Sequence, residues 1–183
     1  MITLDTIQIE CWHPDPPGLS ADIDALGRVL HACVHLGATV SFVLPFSEDD
    51  ARAFWRQKVM PGVEDGTCRV LVARRAGGIV GTVQLDLATP PNQPHRAEVR
   101  KLLVHPEARR HGIARALMEA IEEQARQSGR TLLTLDTTTG DAAEPLYLSI
   151  GYTKVGEIPR FSRRPDSSKL EATTVMYKEL DLY

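Results

Sequence analysis

The stretch that decides the fold is Val99-Arg100-Lys101-Leu102-Leu103-Val104-His105-Pro106-Glu107-Ala108-Arg109-Arg110-His111-Gly112-Ile113-Ala114-Arg115. Ala97–Val104 predicts a strand, ended by His105-Pro106. Ile113–Gln127 predicts an amphipathic helix, because Ile113, Leu117, Ile121 and Ala125 recur at a spacing of four with Ala114 and Met118 beside them, and Gly129 stops it. Between strand and helix lies a tight basic loop. The first turn of a helix leaves backbone N–H groups without internal partners, and the macrodipole adds partial positive charge there. An anion at that end accepts several hydrogen bonds at once. Gly112 lets backbone approach a ligand, Ala114 keeps the next position small, and Arg109, Arg110 and Arg115 supply charge. An ordinary helix start with solvated arginines is the competing reading of these residues. A P-loop is excluded, since no Gly-Lys-Ser/Thr follows, and GxGxxG does not occur.

Outward from this stretch, Ile2–Glu10 reads as a first strand, closed by the prolines of His13–Gly18. Ser20 is expected to cap a helix with Ile23, Leu26 and Cys33 on one face, closing at Gly37. A second helix follows Pro45, where Ser47 and Asp50 form a capping-box-like start and Phe54, Trp55 and Val59 supply apolar contacts. Arg69–Ala73 and Ile79–Leu87 read as a hairpin turning at Ala76-Gly77-Gly78, and Pro90–Pro94 as a surface loop. Thr131–Thr137 is a strand, Ala142–Ile150 a short helix, and two strands flank Ser162–Lys169. The order β–α–α–β–β–β–α–β–α–β–β, without a long linker, predicts one α/β domain over residues 1–183.

With 183 residues, 43% of them hydrophobic and 25% charged, the composition is that of an ordinary globular protein. A net charge of −3 argues against a general nucleic-acid partner. Cys11, Cys33 and Cys68 form no CxxC pair, so neither a zinc knuckle nor a disulfide framework is expected. With no signal-like N-terminus and no apolar run near ~20 residues, a cytoplasmic protein without a membrane partner is expected. His31 and His35 stand four apart but lack the Glu of HExxH, so an ordinary helix face is expected and no metal.

Arg109-x-x-Gly112-x-Ala114 after Leu102-Leu103-Val104-His105-Pro106 resembles motif A of the GCN5-related N-acetyltransferases (GNAT), and Tyr147-x-x-x-Gly151-Tyr152 resembles the family's motif B. The two stand in the family's order, and the likeness runs from about Arg69 to Leu180. Gly37–Phe42, Arg96–Leu102, Leu133–Thr137 and Tyr152–Pro159 are similar to one branch, the tabtoxin-resistance acetyltransferases.

The resemblance implies a GNAT fold of class α/β (α+β). That fold has a mixed, mostly antiparallel twisted sheet of six to seven strands, about four helices, and a V-shaped splay between strands 4 and 5. It implies acetyl-CoA as acyl donor, with Leu102, Leu103 and Val104 along the pantetheine arm and Arg109, Arg110, His111, Gly112, Ile113, Ala114 and Arg115 around the pyrophosphate. A backbone N–H of Leu103 or Val104 would face the thioester carbonyl. Tyr147 is the expected proton donor to the departing thiolate. Glu98 and Asp136 are the candidates for holding or deprotonating the amine, directly or through water. A packing tyrosine, a strand-end glutamate and a strand-capping aspartate are the bland readings. Where relatives carry an Asn before the motif B helix, this chain has Gly140-Asp141, and Asp141 is expected to cap that helix with Glu144 three residues on. A small-molecule amine, such as an antibiotic or an amino-acid-like toxin, is the expected acceptor. A protein N-terminus or lysine is the alternative, and a non-catalytic acyl-CoA sensor a third reading. Monomer and homodimer both stay open.

Overall fold

In a computed structural model that describes residues 6–181, apolar side chains sort onto two faces of one sheet. The strands are β1 (Gln8–Cys11), β2 (Cys68–Arg75), β3 (Gly78–Asp86), β4 (Arg96–Val104), β5 (Leu132–Thr138), β6 (Thr153–Arg163) and β7 (Leu170–Glu179), in the order β1-β2-β3-β4-β5-β7-β6. Every neighbouring pair is antiparallel except β4–β5, which is parallel. Alternation along a strand sends Val83 and Leu85 to the face covered by α4 (Ile113–Gln127) and α5 (Ala143–Ser149). Val70, Val72 and Leu103 go to the opposite face, under α1 (Leu19–His35) and a continuous helical run. That run joins α2 (Glu48–Phe54), one π turn (Trp55–Val59) and α3 (Met60–Glu64). The expected mixed, mostly antiparallel fold is therefore the observed one. No helix among the described residues is long and apolar enough to cross a membrane.

Three local expectations change. Helix α1 begins at Leu19 with Gly18 before it and no side-chain cap, so Ser20 lies inside the helix. The single second helix carries a π turn that buries Trp55 completely and Val59 nearly so, which apolar spacing alone does not reveal. The first strand starts at Gln8, and the part of that expectation on residues 1–5 lies outside the described residues. The capping box at Ser47 and Asp50 forms as read.

The feature that positions the site is the brevity of the β4–β5 pairing. It covers only Arg96↔Leu132, Ala97↔Leu133 and Glu98↔Thr134. Beyond Glu98, a bulge in β4 shifts its register on β3 between Arg100 and Leu103, with Lys101 at φ 51. A bulge bends and twists its strand, which turns β4 away. β5 meanwhile stays paired with β7 from Leu132 to Thr138. A wedge opens toward the C-terminal ends of both strands.

Candidate active site

One flank of the wedge is the start of α4. The first intrahelical bond runs from Ala116 N–H to Gly112 O, so the N–H groups of Ile113, Ala114 and Arg115 precede the helical ladder. Gly112 has φ 76, a conformation that only glycine adopts at little cost, and a Cβ there would meet nothing within 4 Å. Glycine is thus required by the turn itself, apart from any ligand. Ile113 is buried in the core, so only its backbone is available. Arg109 is tied back to the protein: its Nε donates to Val104 O (3.2 Å) and its Nη2 lies 3.8 Å from Cys33 Sγ. Arg115 donates to Ser149 Oγ (2.8 Å), joining α4 to α5, and the Nδ1–H of His111 donates to Ala108 O (3.3 Å). Arg110 is exposed at φ 68. Arg109, Arg110 and Arg115 are all exposed around this turn, two of them with partners inside the protein.

On β4, His105 N–H donates to Val80 O. Alternation then turns the Val104 N–H to the other edge, toward the wedge, while Leu103 N–H faces β3. Leu103 packs into the core beneath α1, and Leu102 lies against the α4 core.

Tyr147 stands on α5 with its ring 5.8 Å from that of Tyr152 and only 6% of it exposed. Burial, then Asp141 and Asp136, push its phenol well above the ordinary value of 10, so it remains protonated throughout the working pH range. Gly151, at φ 91, ends the helix and lets Tyr152 N–H reach back to Tyr147 O (3.0 Å). Lys178 fixes this end by donating to Ile150 O and to buried Glu122, both at 2.7 Å. At the other end the expected Asp141 cap is not made. Asp141 Oδ1 accepts from its neighbour Ala142 N–H (2.6 Å), and buried Glu144 reaches back to Gly140 N–H (2.8 Å). Glu144 also accepts from Lys154 Nζ (3.2 Å), and the Gly140 N–H first and Lys154 after it hold its carboxyl below the ordinary carboxylate range.

The opposite face of the wedge carries the carboxylates. Glu98 and Asp136 lie on the α1 side of their strands, because Ala97, Val99, Leu133 and Leu135 take the α4 side. Glu98 is paired with Arg100 (3.0 Å), which it shares with Asp86 (2.7 Å). Asp136 is exposed and accepts from buried Thr173 Oγ1 (2.7 Å). Lys101 shares this face. Burial and then Arg100 bring its amine down to about 8, while Asp136 and Glu98 pull the other way, so both carboxylates lie within its electrostatic reach.

The segment between α1 and α2 walls this face. Thr39 Oγ1 meets Thr138 Oγ1 at the end of β5, and Leu44 N–H donates to Pro165 O (2.9 Å) in the β6–β7 loop. The loop Pro90–Pro94 belongs elsewhere. Arg130 holds it through Pro94 O at the paired ends of β4 and β5, far along β5 from Thr138. The rings of His31 and His35 stack at 4.0 Å, and His35 Nε2–H donates to Phe46 O (2.8 Å). No metal-holding group of three or more His, Cys, Asp or Glu occurs among the described residues. Sequence reasoning missed Lys101 and Thr173. The signal for Lys101 was the polar pair Arg100-Lys101, which breaks strand alternation as a bulge does. Nothing local marks Thr173.

Comparison with known proteins matches residues 66–154 to the family model described as acetyltransferase (GNAT) domain. The chain is 35% identical over 104 residues to an IAA acetyltransferase of Azospirillum brasilense, covering 56% of this chain and 66% of that protein. It is 31% identical over 129 residues to an uncharacterized N-acetyltransferase of the same organism, encoded in the hisH-hisA intergenic region, covering 69% and 74%. Among solved structures, a putative acetyltransferase of Salmonella typhimurium with acetyl-CoA superposes at a TM-score of 0.77 with 20% identity, covering 97% of this chain and 95% of that one.

Proposed function

The chain belongs to the GNAT acetyltransferase family, and from that premise we propose that it moves an acetyl group from acetyl-CoA to the amine of a small molecule in one ternary complex. The observation that carries this reading is the wedge, which opens after three residue pairs between β4 and β5. Its flanks offer complementary chemistry. The N-terminal N–H groups of α4, beside Gly112 and Arg110, suit a pyrophosphate, and the unpaired edge of β4 at Leu102 and Val104 suits the amide-bearing pantetheine arm. Acetyl-CoA supplies an activated acetyl thioester. The Val104 N–H, facing the wedge, is a donor for oxygen charge that builds up during transfer. Tyr147, held protonated, is a donor to a departing thiolate. Asp136 is the stronger candidate to hold the amine, since Glu98 is engaged by Arg100.

The contacts of Thr39 with Thr138 and of Leu44 with Pro165 support a small acceptor, because they tie the segment between α1 and α2 to β5 and to the β6–β7 loop over this face. An antibiotic or amino-acid-like toxin is the acceptor class this reading names. The test is thiol release from acetyl-CoA with a panel of amino acids, amino-acid amides, polyamines and aminoglycosides, beside peptides with free N-termini or lysines. Turnover of a small amine well above that of any peptide is expected. Turnover of peptides alone would make the chain a protein acetyltransferase, and no release above background would make it a sensor.

A further inference from the structure

A bulge brings Lys101 out of the strand pattern at φ 51, and Ser41, between α1 and α2, has φ 80. Residues with a β-carbon seldom adopt either conformation. The two meet. Lys101 Nζ donates to Ser41 Oγ (3.0 Å) and to Val40 O (2.8 Å). It also lies 5.7 Å from the centre of the Phe42 ring and 5.9 Å from that of Phe54, close enough for the ring faces to attract an ammonium. Strained conformations at both ends of one contact persist only where the surroundings over-determine them, and they concentrate at functional sites. The Val40–Ser41 backbone is thus bound to β4 by Lys101, to β5 through Thr39, and to the β6–β7 loop through Leu44. The tie to β4 differs from the other two because it begins at the bulge that opens the wedge.

We propose that Lys101 is a positioning residue for the acceptor, its ammonium tying the Val40–Ser41 wall to the β4 bulge. This sets the spacing between the wall against which the amine rests and the strand along which the thioester lies. The role rests on the acceptor-face reading above. Spacing of that kind acts on the rate of transfer, since a small misplacement of reacting groups is enough to slow it strongly.

Lys101→Met keeps the aliphatic stem and removes the tie, while Lys101→Arg keeps the charge and can restore hydrogen bonds. Hydrogen exchange over residues 37–46 is measured first, since it needs no acceptor. In Lys101→Met it should rise on the order of tenfold, with Lys101→Arg in between. With the fastest amine of the panel, kcat/KM should fall on the order of tenfold in Lys101→Met and partly recover in Lys101→Arg, while the Kd for acetyl-CoA stays within about twofold. Ser41→Ala, which removes one acceptor and leaves Lys101 in place, should loosen the same segment to a smaller degree, and it stands in if Lys101→Met does not fold. Unchanged exchange overturns the tie. Raised exchange with unchanged or increased kcat/KM overturns the positioning role, and an increase would mean that Lys101 merely screens Glu98 and Asp136. If the wild type acetylates no amine, the functional reading falls and takes the positioning role with it, while the exchange result still decides whether the tie exists.

Discussion

The two sides of the wedge are built in opposite ways. The side proposed for the acyl donor is local: strand, turn and helix follow one another from β4 to α4, and the groups it offers are backbone N–H groups set by a left-handed Gly112. The side proposed for the acceptor is assembled from parts far apart in the chain, with Ser41 meeting Lys101, Thr39 meeting Thr138, and Asp136 meeting Thr173. A backbone cradle depends chiefly on the conformation of its turn, here on Gly112, whereas a wall made of side-chain ties changes with each of them. One side is suited to a constant ligand and the other to a variable one.

If that division holds, each side should fail separately. The largest effect is expected at Tyr147, proposed above as the proton donor. Tyr147→Phe should lower kcat by about 100-fold or more while the Kd for acetyl-CoA from calorimetry stays the same. An unchanged kcat would remove Tyr147 from the chemistry. Next comes the donor side: Gly112→Val forces a β-branched residue to φ 76, at about 1–3 kcal/mol. Acetyl-CoA affinity should fall roughly tenfold with the KM for the amine unmoved. A matching rise in the amine KM would show that the two sides are coupled.

A smaller effect is expected from pH. Unfolded, Lys101 keeps its proton to its ordinary value near 10.5, and folded only to about 8. Between these values the unfolded chain binds more protons, so the stability that this group contributes rises with pH across that window and is lowest below it. Wild type should therefore gain on Lys101→Met in Tm from pH 8 to 10, by on the order of 3 °C, taking about 1 kcal/mol for a half-buried group. A constant difference would mean that Lys101 is not held at a lowered value. The smallest effect is Ser47→Ala, which removes the α2 cap at about 1 kcal/mol and should lower Tm by about 2 °C. Acetyl-CoA affinity should stay unchanged, since the helix packs on the sheet face opposite α4.

The sequence by itself determined everything that depends on near neighbours. Helical spacing marked α4 and Gly129 its stop, Ser47 with Asp50 marked the start of α2, and strand alternation marked β1. Those signals are legible because helix periodicity, glycine stops and the pleat each act over a few residues. Only the tertiary structure decided the rest. It turned Arg109 back onto Val104 and gave Glu144, rather than Asp141, the backbone at Gly140. It held Pro90–Pro94 at the paired ends of β4 and β5 and brought Lys101 against Ser41. Each of these outcomes depends on which group a flexible polar side chain reaches once the chain has folded, and neither periodicity nor spacing specifies that partner.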